Sequence, residues 1–399
     1  MEHLTTTIEF QMSLLLFVSL AGYLLASRIS QPAVVGIILV GLLVGPSALG
    51  FITYTDFIRS IAHLGSVVLL FVIGLEFNLK DLSNPKYFVI GAAGVLVPLA
   101  GGYWICRVFD LELTVALFIG VAVTATSIAI TADSLREMGR LHTDAAKAII
   151  GAAVADDVLA LLALSVVQQS AKGVLSVGAT LIIFVEAVAF LGVGALVGRF
   201  ILNRFMDRLD CTAMAEKYPE VDFIFSMIVA FFYAMVAEAI GLSAIVGSFV
   251  AGVSLEGAHL RCSKDFKEGA EYLRIIFASI FFVSLGVLVD FNAMDLSVLW
   301  FLLALTLMGI LTKVLGCGVP AKLMGLTAKD SMVIGFGMTP RGEVTMIVAL
   351  IGLDRGILDQ RLYAALVAMS LITTIIPPLI ISNWIYRKDK GRAAPGSVS

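Results

Sequence analysis

The chain has 399 residues, of which 59% are hydrophobic and 14% are charged, and its formal net charge is −3. This composition excludes a series of soluble domains and is typical of an all-α polytopic membrane protein. There is no basic patch with interleaved aromatic residues, so nucleic acid is not a predicted partner. The four cysteines include no Cys-x-x-Cys pair and predict neither a disulfide framework nor a zinc site.

Apolar stretches separated by charged residues, glycine or proline predict thirteen transmembrane helices. Their predicted limits are 8–27, 32–50, 59–78, 86–108, 113–134, 145–168, 175–201, 221–240, 243–258, 272–289, 297–319, 329–352 and 361–386. The N-terminus lacks the basic residues of a signal peptide, so the first helix is expected to remain uncleaved. Residues 387–399 are basic and then rich in Ala, Pro, Gly and Ser, which predicts a cytoplasmic tail.

The distribution of basic residues predicts the orientation of these helices. Twenty lysines and arginines fall on one side of the thirteen-helix arrangement and five on the other, while Lys313 and Arg341 remain inside predicted helices. The positive-inside rule therefore predicts an external N-terminus and a cytoplasmic C-terminus. The predicted location is the plasma (inner) membrane.

Three pairs of similar motifs indicate an internal repeat. The pairs, separated by roughly 211–215 residues, are 33–42 with 244–253, 74–78 with 286–292, and 119–124 with 334–339. The shift corresponds to seven helices, an odd number, so equivalent helices cross the membrane in opposite directions. This pattern predicts an inverted-topology repeat of six plus six helices, as in secondary transporters. The predicted halves are 1–168 and 221–386, joined by a linker helix at 175–201.

Two adjacent carboxylates, Asp156 and Asp157, lie in the middle of an apolar stretch at residues 149–162. Each charge at the centre of a membrane helix costs about 2.5–3.5 kcal/mol, so such a pair needs internal partners and indicates an ion or proton site. Adjacent helical residues point about 100° apart, so the two carboxylates cannot face the same ligand. We expect one to bind the cation and the other to meet a countercharge.

Two predicted helices are expected to be broken and to cross each other. The hydroxyl cluster Thr124, Thr126 and Ser127 competes for backbone hydrogen bonds in the fifth helix. In the twelfth, Pro340 has no backbone N–H and so removes one helical hydrogen bond. It follows Thr339 and precedes the charged residues Arg341 and Glu343. Because transporters bind ions at such breaks, these residues are predicted to surround the Asp156–Asp157 site. The alternative interpretation is ordinary packing of small residues between helices.

Lys313 and Arg341 are the available countercharges. Lysine is the one that can titrate, because a buried ammonium group readily releases its proton whereas arginine stays charged. Arg341 could pair with Glu343 or with another buried acid. Lys313 could instead extend towards the cytoplasmic interface, about two turns away.

The remaining titratable groups in or near the predicted helices are less specific. For five acids near helix ends, a solvated interface position and a functional role both remain open: Glu76, Asp133, Glu238, Glu256 and Asp290. Four histidines near helix ends lack metal-ligand spacing and are expected to be solvated: His3, His63, His142 and His259. Glu186 lies near the middle of the linker helix, where pairing and a water-filled crevice both remain open.

The combination of Ala155-Asp156-Asp157, the residues 124–127, Lys313 and the motif 339–343 resembles the NapA-type sodium/proton antiporters, in the second branch of the cation/proton antiporter superfamily. The resemblance covers nearly the whole chain and implies the NhaA fold, a homodimer and an elevator-like movement. It also implies that Asp157 binds the cation and that Asp156 pairs with Lys313. The implied core is 86–168 with 297–386, and the implied dimerisation helices are 8–78 with 221–289.

The predicted function is secondary antiport of Na⁺ or Li⁺ against protons by alternating access, serving pH homeostasis and electrogenic if Lys313 also releases a proton. Asp157 is the predicted ligand of the transported alkali cation, and neither a cofactor nor a resident metal is predicted. Related K⁺/proton antiporters often carry a cytosolic nucleotide-binding domain. This chain ends without one, which favours Na⁺ or Li⁺ over K⁺.

Rival functions fit less well. A sodium-coupled symporter of organic solutes on the same fold would need a larger substrate cavity. An intramembrane aspartyl protease needs two carboxylates that face each other from different helices, and here they are neighbours on one helix. A channel would need a carbonyl filter motif. We therefore predict that the protein is not an enzyme.

Overall fold

The computed structural model describes residues 7–77, 84–171, 177–210, 212, 217–218, 220–256, 266–288 and 296–386. Within these ranges the regular secondary structure is helical. In chain order the helices are α1 (Ile8–Arg28), α2 (Ala33–Val44), α3 (Asp56–Gly74), α4 (Pro85–Val108), α5 (Leu113–Ala122), α6 (Ile128–Glu137), α7 (Asp144–Ala171), α8 (Val177–Val197), α9 (Asn203–Asp210), α10 (Glu220–Ala239), α11 (Ala244–Leu255), α12 (Phe266–Val287), α13 (Leu296–Leu323), α14 (Ala328–Gly337), α15 (Glu343–Asp354) and α16 (Gln360–Ile380). Five-residue π-helical turns, Gly198–Leu202 and Ile381–Ile385, follow α8 and α16.

Eight helical runs in the described ranges are long and apolar enough to cross a membrane. They are Ile8–Arg28, Asp56–Gly74, Pro85–Val108, Thr180–Asp210, Glu220–Ala239, Lys267–Val287, Ser297–Leu323 and Gln360–Ile385. The chain is therefore a multi-pass helical membrane protein. The larger count of thirteen stays a prediction.

Polar residues at the helix boundaries explain where several of these apolar helices begin. Thr55 accepts a hydrogen bond from the backbone N–H of Ile58 at the start of α3. Asn84 does the same for Lys86 at the start of α4, where Pro85 supplies a favourable first residue. These caps satisfy N–H groups that have no partner within the helix.

The helices pack in two groups. In one group α1 packs on α2, α2 and α3 pack on α12, and α11 packs on both α3 and α10. In the other, α4 packs on α5, α7 and α13, while α13 also packs on α14 and α16. The candidate site lies where α7, from the second group, meets α11, from the first.

Small residues allow the backbones within the first group to approach closely. A methyl group added to Gly74 in α3 would meet the backbone of Phe249 in α11, and one added to Gly252 would meet the backbone of Phe71. Because lipid is as apolar as leucine, the hydrophobic effect does not favour association of helices within the membrane. Van der Waals contacts between closely packed backbones stabilise the association instead.

Three predicted features of the helices need correction. The stretch predicted at 32–50 is helical only to Val44, after which Gly45 and Pro46 accompany an irregular segment. The linker helix extends beyond 201, since the helical run continues to Asp210. Glu186 is exposed between the exposed apolar residues Ile182 and Val188, so its side chain lies on the outer surface and not in a crevice.

Candidate functional site

The fifth and twelfth predicted segments are each broken, and the two breaks touch. Helix α5 ends at Ala122 and α6 begins at Ile128, while α14 ends at Gly337 and α15 begins at Glu343. The backbone N–H of Ser127 donates to the carbonyl of Pro340 at 2.8 Å. One interrupted helix therefore satisfies backbone groups of the other, as irregular backbone at membrane depth requires.

Hydroxyl groups satisfy further carbonyls around these breaks. Thr126 donates to the carbonyl of Met338 at 3.2 Å, and Thr131 donates to that of Gly337 at 2.6 Å. The predicted residues Thr124 and Thr339 donate within their own helices, to Val121 at 2.8 Å and Gly335 at 2.9 Å. These two hydroxyls therefore satisfy carbonyl groups at the ends of α5 and α14.

Asp156 and Lys313 form a buried ion pair between α7 and α13. The Lys313 Nζ lies 2.7 Å from Asp156 Oδ1, and the two residues are 0% and 1% exposed. The alternative in which Lys313 extends towards the interface is therefore wrong. Removing one partner of such a pair leaves an uncompensated buried charge, at a cost of about 3–5 kcal/mol.

Asp157 points to a different neighbour. Its Oδ2 accepts a hydrogen bond from the backbone N–H of Ser243 at 3.2 Å, at the residue that caps α11. The half-buried carboxylate also lines a cavity of about 20 Å³ together with Thr126, Ser127 and Gly342. This volume suffices for one water-sized occupant. Carboxylate and hydroxyl oxygens are the ligand types that hard cations prefer.

Arg341 is held by carbonyl groups. It is fully buried, and its guanidinium donates to the carbonyls of Met338 at 3.3 Å, Thr339 at 3.0 Å and Gly309 at 3.3 Å. The carbonyl of Arg341 accepts from the Thr374 hydroxyl at 2.6 Å. Arg341 therefore ties the broken segment to α13 and α16. Pairing with Glu343 stays a prediction, because the Glu343 side chain is outside the described part of the structure.

Two cavities that share lining residues extend from Asp157 towards the start of α3. A cavity of about 290 Å³ is lined by Asp157, Ser243 and residues of α7, α10 and α15. A second, of about 640 Å³, is lined by Asp56 and Arg59 near the start of α3. Both are lined by His63 and Glu238. For His63 the sequence predicts only a solvated position at a helix end, whereas both residues line the two cavities.

At the opposite end, ion pairs join α6 to the first helix group. Arg136 contacts Glu76 at 2.6 Å and Glu271 at 2.8 Å, so α6 is bonded to the end of α3 and to α12. Arg274 links Asp133 at 2.8 Å with Glu271 at 2.6 Å. Glu76 and Asp133 are therefore not simply solvated interface groups, because both are paired with arginine. Asp290, His3 and His259 fall outside the described residues.

The 20 Å³ cavity depends on the absence of a side chain at residue 342. A methyl group added there would lie 2.7 Å from Ser127 Oγ and 2.8 Å from Ser127 Cβ. We expect Gly342→Ala to raise the half-saturating cation concentration by about tenfold, since overpacking costs about 1–3 kcal/mol. Cation-driven proton movement in vesicles measures this change.

The matched control is Gly192→Ala in α8, where an added methyl group would meet nothing within 4 Å. This variant should keep the wild-type half-saturating concentration. An unchanged value for Gly342→Ala as well would show that the cation does not occupy this cavity.

The described residues contain no group of three or more His, Cys, Asp or Glu that could hold a metal ion. A single carboxylate among neutral oxygens suits weak and reversible binding of a monovalent cation better than tight binding of a transition metal. Since the same carboxylate can take a proton, the site can hold either species in turn.

Comparison with known proteins gives one consistent result. The profile of the family described as "Sodium/hydrogen exchanger, transmembrane" matches residues 14–385. The chain is 32% identical over 388 residues to the Na(+)/H(+)-K(+) antiporter GerN of Bacillus cereus, covering 96% of this chain and 98% of that protein. It is 30% identical over 377 residues to a Na(+)/H(+) antiporter of Enterococcus hirae, covering 92% and 95% respectively.

The fold is also similar to a solved structure. The sodium proton antiporter MjNhaP1 of Methanocaldococcus jannaschii superimposes with a TM-score of 0.74, covering 98% of this chain and 100% of that one. The sequence identity is 18%, so this similarity concerns the fold alone.

Proposed function

Since this chain belongs to the sodium/hydrogen exchanger family, we propose that it exchanges Na⁺ or Li⁺ for protons by alternating access, with Asp157 as the shared binding group. The observation that carries this proposal is the position of Asp157. Its carboxylate lines the 20 Å³ cavity beside the two contacting helix breaks and also the 290 Å³ cavity, which shares His63 and Glu238 with the 640 Å³ cavity. A group in this position is accessible from one side of the membrane, and one movement of the core would expose it to the other side.

Competition at Asp157 makes the exchange obligatory. A proton or a monovalent cation neutralises the carboxylate, and the loaded core can then cross the apolar barrier. The unloaded form carries an uncompensated charge, which is costly in an apolar environment. Movement therefore occurs with one cargo or the other bound, and an inward proton gradient expels the cation.

The ion pair Asp156–Lys313 supplies a second titrating group. When a cation binds beside it, Asp156 releases Lys313 and the ammonium group loses its proton. More than one proton then moves per cation, so transport is electrogenic.

We assign the chain to the NapA type with an NhaA-like architecture of thirteen transmembrane helices and an inverted repeat. Support comes from the two contacting helix breaks and from the two helix groups, which match the core and dimerisation helices expected from the resemblance. A homodimer formed through the dimerisation helices is part of the same proposal.

The distribution of charge supports an external opening. The wide cavity is lined by Arg59 from the end of the molecule with few lysines and arginines, whereas Arg136 and Arg274 lie at the basic end. The positive-inside rule assigns the basic end to the cytoplasm. The ion pairs of α6 then close the cytoplasmic side while Asp157 is open to the outside.

Potassium is a second candidate cargo. The name of GerN, 32% identical to this chain, includes K⁺ as well as Na⁺. A carboxylate site lined by hydroxyls and water accommodates either ion, and the choice depends on cavity size and ligand flexibility.

Purified protein in vesicles with a trapped pH dye tests the function. When the vesicle lumen is made acidic relative to the outside, external addition of Na⁺ or Li⁺ should alkalinise the lumen, whereas choline should not. A response to K⁺ of equal size would extend the cargo to K⁺. A pH change that requires an added organic solute would indicate a symporter, and no response to any cation would contradict the proposal.

A further inference from the structure

A hydrogen bond connects the candidate cation ligand with the other helix group. Asp157 lies on α7, which packs on α4, α5 and α14, whereas Ser243 caps α11, which packs on α3 and α10. The bond from the Ser243 N–H to Asp157 Oδ2, 3.2 Å long, crosses between these groups. Both residues also line the 20 Å³ and 290 Å³ cavities, so the bond lies where cargo arrives.

Local structure leaves this N–H available. Gly241 adopts φ +85°, a conformation that favours glycine, and lets the chain leave α10 and start α11 within a few residues. Ser243 is the cap, so its N–H precedes the helical residues and has no partner inside α11. The dipole of α11 adds positive potential at this end.

The strength of this bond depends on the charge of Asp157. An N–H group bonded to an ionised carboxylate forms a bond roughly twice as strong as one bonded to a neutral acceptor. A proton on Asp157, or a cation on the same oxygens, therefore weakens the attraction to Ser243 and to the N-terminus of α11. The bond is strong in the unloaded state and weak in either loaded state.

We propose that Ser243 is a positioning residue whose backbone N–H acts as a charge-dependent latch, holding the core against α11 whenever Asp157 carries no cargo. This inference rests on the proposed exchange at Asp157 and adds a cause for its tight coupling. The cost of burying the bare charge opposes movement of the unloaded core through the apolar barrier. The latch adds a bond that holds the core in place before movement begins. Binding of either cargo releases the core.

The variant Ser243→Pro removes the N–H while keeping the backbone, because Ser243 already has φ −63°, close to the value that proline requires. It also removes the Ser243 hydroxyl, which accepts from the N–H of Ile245 at 3.2 Å. Ser243→Ala loses that hydroxyl but keeps the latch N–H. Comparison of the two variants therefore distinguishes the loss of the latch N–H from the loss of the helix cap.

The readout is a ratio measured in voltage-clamped vesicles loaded with radioactive sodium at alkaline pH. Net sodium exit into sodium-free buffer reports movement of the unloaded carrier, and exchange against external sodium reports movement of the loaded carrier. Their ratio does not depend on the amount of active protein. We expect Ser243→Pro to raise the ratio by about tenfold, the effect of losing one charge-assisted hydrogen bond. Ser243→Ala should keep the wild-type ratio.

An unchanged ratio in Ser243→Pro, or an equal increase in Ser243→Ala, would overturn the latch while leaving the exchange function intact. Absence of sodium exchange in the wild type would instead contradict the proposed function. Should Ser243→Pro not fold, hydrogen exchange of the wild-type segment 241–247 decides. Sodium should accelerate amide exchange there, and unchanged or slower exchange would overturn the latch.

Discussion

Replacement of Asp157 by asparagine is expected to reduce cation-driven proton movement to the level of vesicles without protein. Asparagine keeps the shape of the side chain and can still accept the bond from Ser243 at 3.2 Å, so folding should persist. It cannot bind a proton in the physiological range, and it offers a cation no charge. The shared site is thereby lost for both cargoes, as the trapped-dye assay measures.

Asp144→Asn is the matched control, because Asp144 lies on the same helix but is exposed in its first turn. This variant should transport like the wild type. Asp156→Asn should retain more transport than Asp157→Asn, since its proposed task is to pair with Lys313. Near-normal exchange by Asp157→Asn would move the cation site to another residue, with Asp156 and Glu343 as the next candidates.

Lys313→Gln is expected to have the largest effect on stability. The substitution leaves Asp156 buried without its partner at 2.7 Å, which costs about 3–5 kcal/mol. We expect a lower thermal unfolding temperature in detergent and loss of transport. The double variant Asp156→Asn/Lys313→Gln removes both charges and should regain most of the stability.

The double variant also tests electrogenicity. With Lys313 gone, Asp157 still exchanges one proton for one cation, so the double variant should transport without response to membrane potential. Wild-type transport should respond, because each net charge moved is worth about 2.3 kcal/mol per 100 mV. Voltage-dependent exchange by the double variant would show that the second proton does not come from Lys313.

Much of the candidate site could be predicted because it violates local rules. Asp156, Asp157 and Lys313 are charges in apolar helices, and Pro340 cannot continue a helix. Such residues are visible without knowledge of the fold. The choice of partners is less accessible, because Lys313 and Arg341 are both available as countercharges and the pairing of Asp156 with Lys313 is implied only by the family resemblance.

Residues that obey local rules could not be recognised in this way. Ser243 looks like an ordinary helix cap, and only the tertiary fold brings its N–H to Asp157, 86 residues earlier in the chain. His63 and Glu238 lie near helix ends, where solvated polar residues are common. Their place in the lining of both cavities depends on contacts between α3 and α10, which no local pattern encodes.

The ion pairs of Arg136 illustrate the same limit. Arg136 and its partners Glu76 and Glu271 are 60 and 135 residues apart in sequence, and each alone reads as an interfacial charge. Opposite charges at helix ends are common, so many pairings are compatible with the sequence. The fold selects one, which joins α6 to both α3 and α12.

Above all, we propose that the Asp157 carboxylate takes either a proton or a cation. Calorimetric titration of the purified protein with Na⁺ across a range of pH tests it most directly. On the acidic side, the apparent affinity should fall by about tenfold for each unit of pH, because one proton must leave for each cation bound, and more steeply if Lys313 also titrates. Asp157→Asn should show no binding. An affinity that is independent of pH, or that survives in Asp157→Asn, would contradict the account.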